Sequence, residues 1–175
     1  MGAREQGAGS CYVTRDCVRR AVELVVPMLE AGRADREIVG SGFLHIVILD
    51  PYLTPARARF EEAILYERDR SLWDADYAAF ARAKARLTWE TGLGSHEVQA
   101  LRPHLLPAGA TALWGSVCLD GIVVGISGAF PWFDEAYAGA IACMIRALAK
   151  KAREADAGKL QVQSGEPSNP ATRSG

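Results

Sequence analysis

The chain has little net charge, and this shortage excludes several classes of partner. Its 20 Lys and Arg residues nearly balance 21 Asp and Glu residues, which leaves a formal net charge of -1. Without an excess of positive charge, the protein has no overall field that would attract nucleic acid or an anionic membrane surface. We therefore predict neither a nucleic-acid partner nor a membrane partner.

Cysteines and long apolar runs are also scarce. The four cysteines form neither a Cys-x-x-Cys pair nor the dense pattern of a disulfide-rich scaffold, which predicts free and mostly buried thiols. The amino terminus has charge but no apolar signal-peptide core, and no later apolar run is long enough to cross a bilayer. These features predict a cytoplasmic location.

The motifs of the common hydrolases and nucleotide-binding enzymes are missing. The sequence contains no nucleophile elbow, no phosphate-binding loop, no dinucleotide fingerprint and no His-Glu-x-x-His. Its only imidazoles are His45, His96 and His104, and their spacings match no local metal motif. Function must therefore be sought in residues that the fold brings together.

What is present is enough for one ordinary domain. The 175 residues are 49% hydrophobic, which suffices for one buried core. Residues 1–12 are small or polar, and residues 153–175 end in an aperiodic mixture of Gly, Ser, Pro, Gln and Asn. We predict a single domain over residues 13–152 between two disordered ends.

The first half of the chain predicts a helix followed by two strands. Apolar residues recur at helical spacing after Thr14, which can cap this helix, and Pro27 should bend or locally break it. The apolar run at residues 43–49 predicts a buried strand, and residues 62–67 predict a returning one. The link at residues 51–60 is too long for a tight turn and predicts an irregular loop.

The second half predicts two helices, a hairpin and a last helix. Asp74 or Asp76 can begin the first helix, and Ser95 can cap a short one over residues 95–101. Residues 113–119 and 122–127 flank an Asp-Gly pair, which is the strongest short signal for an antiparallel hairpin. Asp134 can cap the last helix. One face of the first of these helices is predicted to carry Tyr77, Phe80, Ala81, Lys84, Leu87 and Thr88.

This order of elements indicates an α/β protein of the α+β type. We predict an antiparallel sheet of about four to five strands with helices packed mainly on one face, because strands and helices do not alternate regularly.

One stretch carries a resemblance to a known family. Residues 115–128, followed by Asp134-Glu135 and a helix of small residues, resemble the GlcG/HbpS-like heme-binding family, which also occurs at the PduO C-terminus. Residues 81–85 look like the Ala/Lys-rich central helix of that family, and residues 45–50 with 63–68 look like its first two strands. The resemblance covers roughly residues 14–152.

The resemblance implies a profilin-like fold, a tendency to form homo-oligomers and, in some members, binding of heme, corrinoid or iron. Two segments depart from the family pattern. Residues 51–60 replace a short Asp-x-Gly-Gly turn, and residues 114–117 replace a Gly-Gly-x-Pro stretch. The chain therefore resembles a divergent branch of the family.

Several residues are candidates for holding a flat cofactor. His104, which lies in a loop, is the favoured heme-iron ligand, ahead of His96 and of His45, which is expected to be a hydrogen-bonded core residue. The strand end before the last helix can receive an anionic group such as a propionate, although tight strand-to-helix packing is the favoured explanation of its glycines. The candidate cofactor-binding residues are His104, Trp114, Gly115, Ser127, Gly128 and Trp132.

Three residues are candidates for proton-transfer chemistry. Lys84 falls on the apolar face of its helix, where burial can lower a lysine pKa, and Asp134 and His104 are the other two candidates. The favoured interpretation of Lys84 is nevertheless a side chain that reaches past the edge of the core to solvent, and that of Asp134 is a helix cap.

Three functions follow from these features. The leading interpretation is a binding protein for heme or a similar flat small molecule, in a cleft between the hairpin, the His104 loop and the central helix. The alternatives are a small enzyme that uses the same cleft on a carbonyl or acid substrate, and an oligomeric assembly module that uses Ala136, Gly139, Ala140 and the nearby aromatic residues.

Overall fold

The fold is built around one antiparallel sheet, and its computed structural model describes residues 10–39, 44–69, 77–110, 112 and 114–156. The strands are connected by helices of unequal length and by one hairpin. In chain order the elements are α1 Arg15–Arg33, β1 His45–Leu49, α2 Phe60–Ala63, β2 Ile64–Asp69, α3 Tyr77–Thr91, α4 Ser95–Leu101, the 3-10 helix Pro103–Leu105, β3 Ser116–Leu119, β4 Ile122–Ser127 and α5 Pro131–Ala155.

The sheet has the strand order β2-β1-β4-β3, and every neighbouring pair is antiparallel. Successive side chains of a strand point to opposite faces, so that β1 contributes to two separate apolar layers. Ile46 and Ile48 belong to one core cluster, whereas Val47 and Leu49 belong to the other. The α+β class and the antiparallel sheet are thus confirmed.

Helices cover the sheet unequally. The two longest, α1 and α5, pack together on one face and supply most of the larger core cluster. The shorter α3 lies on the opposite face, directly against β4. Gly125 permits this close approach, because a Cβ atom there would lie 2.8 Å from both the carbonyl oxygen of Ala81 and the Cβ of Ala85.

The hairpin between β3 and β4 has the turn that its sequence predicts. Asp120 and Gly121 have φ angles of 52° and 82°, as a two-residue turn of type I′ requires. Leu119 pairs directly with Ile122 across it. The register places Val117 and Leu119 toward α5 and Cys118 toward α3.

Helix α1 confirms the predicted start and corrects the effect of proline. Thr14 is the N-cap, and its hydroxyl accepts a hydrogen bond from the backbone N–H of Cys17 at 3.2 Å. The helix continues through Pro27 to Arg33 rather than breaking. Burial of Val25 and Leu29, on either side of the proline, stabilises the helix across the missing hydrogen bond.

Two other starts differ from the predictions. Residues 60–63 form the short helix α2, with the carboxylate of Glu62 accepting from the backbone N–H of Arg59, so the returning strand begins only at Ile64. Helix α4 has Gly94 rather than Ser95 as its N-cap, because the Ser95 hydroxyl instead accepts from the backbone N–H groups of Gly115 and Ser116.

Burial also corrects two expectations. Phe80 is 40% exposed and does not share the inner face of α3, which is formed by Ala81, Lys84, Ala85, Leu87 and Thr88. All four cysteines are free, as predicted, but Cys11 and Cys143 are exposed rather than buried.

Several predictions concern segments at the edges of what is described. Some of these predictions fall outside the described residues. They are the disorder of residues 1–9 and 157–175, the helix start at Asp74 or Asp76, and the first residues, 43 and 113, of two predicted strands. Within the described residues, the backbone N–H of Ser10 donates to the Asp50 carboxylate, and α5 reaches Ala155. No helix in the described part of the chain combines the length and apolarity needed to cross a membrane.

Candidate functional site

Two of the candidate catalytic residues form an ion pair in the protein interior. Lys84 Nζ donates to Asp134 Oδ2 at 2.8 Å, and both side chains are only 1% exposed. The same ammonium donates to the carbonyl oxygen of Ile126 at 3.0 Å and lies 3.4 Å from Ser127 Oγ. Lys84 therefore does not reach past the core to solvent, but joins α3 to the end of β4 and to α5.

Asp134 is not the cap of α5. The helix begins at Pro131 with Phe130 as N-cap, because proline suits the first helical position, where an N–H would have no helical partner. Asp134 lies one turn inside, and its Oδ1 accepts a hydrogen bond from the backbone N–H of Ala129 at 2.9 Å. Its carboxylate thus fixes both Lys84 and the turn that leads into α5.

Burial shifts both members of the pair toward their neutral forms. It raises the pKa of Asp134 to about 6, against the opposing effects of the Lys84 charge and of the backbone amides of Ala129 and Gly128. Burial likewise lowers the pKa of Lys84, and the charge of Asp134 opposes this shift. The pair could hold or release a proton, but side chains that are 1% exposed cannot meet a substrate without a rearrangement of the core.

Gly115 packs directly against this ion pair. Its φ angle is 140°, and a Cβ atom there would lie 2.5 Å from Asp134 Cβ, 2.9 Å from the Ile126 carbonyl oxygen and 3.1 Å from Lys84 Nζ. A residue without a side chain is therefore required. Three of the candidate cofactor-binding residues, Gly115, Ser127 and Gly128, contact this ion pair. Lys84 and Asp134 fill the space in front of Gly115.

A network of hydroxyl groups holds the segment before β3 in this position. Ser116 Oγ lies 2.7 Å from Thr88 Oγ1 and donates to the carbonyl oxygen of Lys84 at 2.8 Å. Ser95 Oγ accepts from the backbone N–H groups of Gly115 and Ser116, each at 3.1 Å. These buried hydroxyls connect α3, α4 and β3, and nothing in their sequence spacing indicated the network.

His45 is a hydrogen-bonded core residue, as predicted. It is 4% exposed, and its Nε2 lies 2.7 Å from Glu67 Oε1. Arg82 of α3 also donates to the Glu67 carboxylate, at 2.6 and 2.8 Å. These contacts hold the imidazole within the protein, so His45 is the least accessible of the three candidate iron ligands.

His96 and Trp114 form a stacked aromatic pair near the start of α5. Their rings stack with centroids 4.8 Å apart, and His96 Nδ1 lies 3.7 Å from Glu135 Oε2. The indole Nε1 of Trp114 is buried and has no hydrogen-bond partner within the described residues. Trp114 thus packs on His96 beside the buried ion pair. Its indole N–H is a donor that has no acceptor among the described residues.

His104 lies elsewhere, in the 3-10 helix Pro103–Leu105, and is exposed. Just beyond it, residues 107–110 and one side of α3 enclose a cavity of about 180 Å³. Its walls are mainly apolar and include Ala83, Leu87 and Ala108, with Arg86 and Glu90 at the helix. The cavity lies between α3 and the loop that follows His104, and neither His104 nor a residue of the hairpin is among the residues that line it.

Trp132 belongs to a separate aromatic pair, which lies on the surface at the first turn of α5. Its ring stacks on that of Phe130 at a centroid distance of 5.4 Å and an interplanar angle of 7°. Trp132 is 56% and Phe130 41% exposed. The six candidate cofactor-binding residues therefore lie in four surroundings: the buried pair, the His96 stack, the His104 segment and this exposed aromatic pair.

Metal ligands do not converge in the described residues, where no group of three or more His, Cys, Asp or Glu side chains is placed to hold an ion. Sequence reasoning missed the pairing of Lys84 with Asp134 and the hydroxyl network. It also missed a groove beside the C-terminal half of α5, described below. The only available signal for this groove was the spacing of Arg146, Lys150 and Arg153 on one helical face.

Comparison with known proteins supports the fold alone. No family model matches the sequence, and no curated protein matches it. Among solved structures, the chain is similar to the Klebsiella pneumoniae protein ORFY of the DUF336 family, with a TM-score of 0.52 and 14% sequence identity. The match covers 84% of this chain and 98% of that one.

Proposed function

We propose that this chain is a binding protein for heme or another flat, partly apolar small molecule, held between α3 and the segment that follows His104. The observation that carries the proposal is the cavity of about 180 Å³ beside that segment. An apolar cleft with a few polar groups at its edge is the usual form of a small-molecule site. His104 adds an exposed imidazole in the 3-10 helix that precedes the cavity-lining segment.

The cavity fits a flat molecule only in part. Its volume of about 180 Å³ lies below the roughly 300–1,000 Å³ typical of sites that enclose drug-sized ligands. The apolar walls formed by Ala83, Leu87 and Ala108 suit the edge of a tetrapyrrole, and the rest of the ring would lie on the surface. His104 is the residue that would hold the iron, through a neutral ring nitrogen.

The resemblance of residues 115–128 to the GlcG/HbpS-like family supports this ligand class. The fold supports it indirectly, because the similar ORFY structure belongs to DUF336, a family related to GlcG-like proteins. Binding is favoured over catalysis, since Lys84 and Asp134 neutralise each other in the core and His104 lies in a different segment.

The test is a titration of the purified protein with hemin, followed by visible absorption. We expect a saturable shift of the Soret band in the wild type, because an axial ligand changes this band specifically. The shift should be lost in His104→Ala and kept in His96→Ala, which removes another exposed imidazole. A shift that is absent from the wild type, or that survives in His104→Ala, would contradict the proposed ligand.

A second pair of variants tests the cavity rather than the iron ligand. Ala83 is exposed on α3 and lines the cavity, so Ala83→Phe should fill it and weaken binding without disturbing the core. Ala79 lies one turn earlier on the same helix, is exposed and does not line the cavity, so Ala79→Phe is the matched control. Equal affinities in the two variants would place the ligand elsewhere.

Self-association is the second candidate function, and the exposed Phe130–Trp132 pair favours it. Behind Trp132, α5 presents Ala136, Gly139 and Ala140 along a surface where small side chains permit close helix packing. Light scattering should then report an oligomeric mass that falls in Trp132→Lys. A monomeric mass for the wild type would remove this function.

A further inference from the structure

A groove lies at the opposite end of α5 from the buried ion pair, and its volume of about 260 Å³ exceeds that of the cavity beside α3. We call it the α5 groove. It is open to solvent and is lined by the C-terminal half of α5, by the hairpin turn, by Pro51 and by residues 10, 12 and 13. The residues that define it are Tyr12, Val13, Ile122, Arg146, Lys150 and Arg153.

The inner wall of the α5 groove is apolar and firmly held. Val13 is 6% and Ile122 3% exposed, and both belong to the larger core cluster. The N-terminal wall is fixed by hydrogen bonds, since the backbone N–H of Ser10 donates to Asp50 and the N–H of Val13 donates to Ser10 Oγ at 3.1 Å. The groove is therefore part of the folded domain.

The rim of the groove carries an excess of positive charge. Arg146, Lys150 and Arg153 follow one another at spacings of four and three residues, which places them on one face of α5. The only carboxylate among the lining residues is Asp120, which is 61% exposed and lies 3.5 Å from Arg146. Within the described part of the chain, no carboxylate contacts Lys150 or Arg153.

The helix dipole does not account for this arrangement. A cation is favoured by the dipole only in the last turn of a helix, and Arg153 alone lies there. Arg146 precedes the end of α5 by about two and a half turns. Like charges at this spacing repel one another on a helix, so an anion bound between them would reduce the electrostatic repulsion that is present in the free protein.

We infer that the α5 groove binds a small organic carboxylate with an apolar body. The body would lie against Val13, Ile122 and the ring of Tyr12, and the carboxylate would accept hydrogen bonds from Lys150 and Arg153. The volume limits the ligand to one or two rings or a short aliphatic chain. This site shares no lining residue with the cavity of the proposed function and does not depend on it.

The test uses naphthoate as the probe and the full chain at low ionic strength, where charge pairing is least screened. Calorimetry should give saturable binding, and the amide NMR shifts that change should include those of Ile122 and Ala149, which line the groove. Naphthamide, which has the same rings without the charge, should bind at least about tenfold more weakly.

Two matched variants separate the groove from general surface charge. Lys150→Gln combined with Arg153→Gln should weaken naphthoate binding at least about tenfold. Lys151→Gln removes an exposed cation from the same helix that does not line the groove, and binding should change less than about twofold. Absence of saturable binding, shifts confined to other regions, or an equal loss in Lys151→Gln would overturn the inference.

Discussion

The two ends of α5 differ in whether their charged side chains are buried and paired. At the N-terminal end, Asp134 is buried and paired with Lys84, and a glycine covers both. At the C-terminal end, Lys150 and Arg153 border an open groove, with no carboxylate in contact among the described residues. One helix thus carries a compensated charge in the core and an uncompensated group of charges at a cavity.

This difference separates residues that hold the fold from residues that can meet a ligand. A buried charge requires a partner, since an uncompensated ion in the interior costs several kcal/mol. Exposed cations have no such requirement, because water solvates them. A buried ion pair is therefore weak evidence of a catalytic site, whereas cations beside an apolar groove indicate a surface available for binding.

The largest effect should come from removing one member of the buried pair. Lys84→Met fills similar space but leaves the Asp134 carboxylate uncompensated, so we expect the free energy of unfolding to fall by about 3–5 kcal/mol. Urea denaturation followed by circular dichroism measures it. The double variant with Asp134→Asn removes both charges, and it should recover part of the loss.

A loss below about 1 kcal/mol in Lys84→Met would contradict the structural role of the pair, because such a value is typical of exposed ion pairs. The contrast between the two ends of α5 would then disappear, because neither end would carry a charge that the fold requires.

A smaller loss should follow from adding one methyl group to the cover of the pair. Gly115→Ala places a Cβ atom 2.5 Å from Asp134 Cβ at a φ angle of 140°, and we expect a destabilisation of about 2–3 kcal/mol from overpacking and backbone strain. Gly139→Ala is the control, because no atom lies within 4 Å of its added Cβ. In the middle of α5 this change should stabilise the helix by about 0.5–1 kcal/mol.

The buried end should also show a pH dependence of defined sign. Because the pKa of Asp134 rises from 3.8 to about 6 on folding, the folded protein binds more protons than the unfolded chain between these values. Preferential protonation of Asp134 in the folded protein therefore stabilises it. This contribution is fully present below pH 3.8 and is lost as the pH rises through about 6. The lowered pKa of Lys84 has the opposite sign, because the folded protein then binds fewer protons than the unfolded chain between the two pKa values of Lys84.

The measurement compares urea denaturation of the wild type and of Asp134→Asn across this range. The free energy of unfolding of the wild type, minus that of the variant, should decrease as the pH rises from 3.8 to about 6. A difference that increases would mean that the charge of Lys84 outweighs the effect of burial on the carboxyl group.

Local signals predicted most of the fold. The cap at Thr14, the apolar periodicity of α1 and the hairpin at Asp120-Gly121 each depend on residues close in sequence, and each was confirmed. Asp134 was misplaced as a cap because its preference for helix starts could not reveal that Pro131 begins the helix and that Lys84 competes for the carboxylate. Pairings distant in sequence produced most of the departures.

The candidate site was less predictable for the same reason. Lys84 and Asp134 were each predicted as candidates for proton transfer, but their contact spans 50 positions and requires α3 and the start of α5 to meet at the end of β4. The α5 groove depends on Ser10 contacting Asp50, in a segment whose small, polar composition predicted disorder. Composition describes the average behaviour of a segment, and a few specific hydrogen bonds can override it.

The smallest effect should come from the charges at the open end. Lys150→Gln and Arg153→Gln should each change the free energy of unfolding by less than about 0.5 kcal/mol, because their side chains are exposed and contact no described carboxylate. Like-charge repulsion along α5 even favours a slight gain in stability. Urea denaturation without ligand measures this effect, with Lys151→Gln as the control. A loss above about 1 kcal/mol in Lys150→Gln alone would mean that its charge serves the fold, as that of Asp134 does, and the contrast between the two ends of the helix would fail.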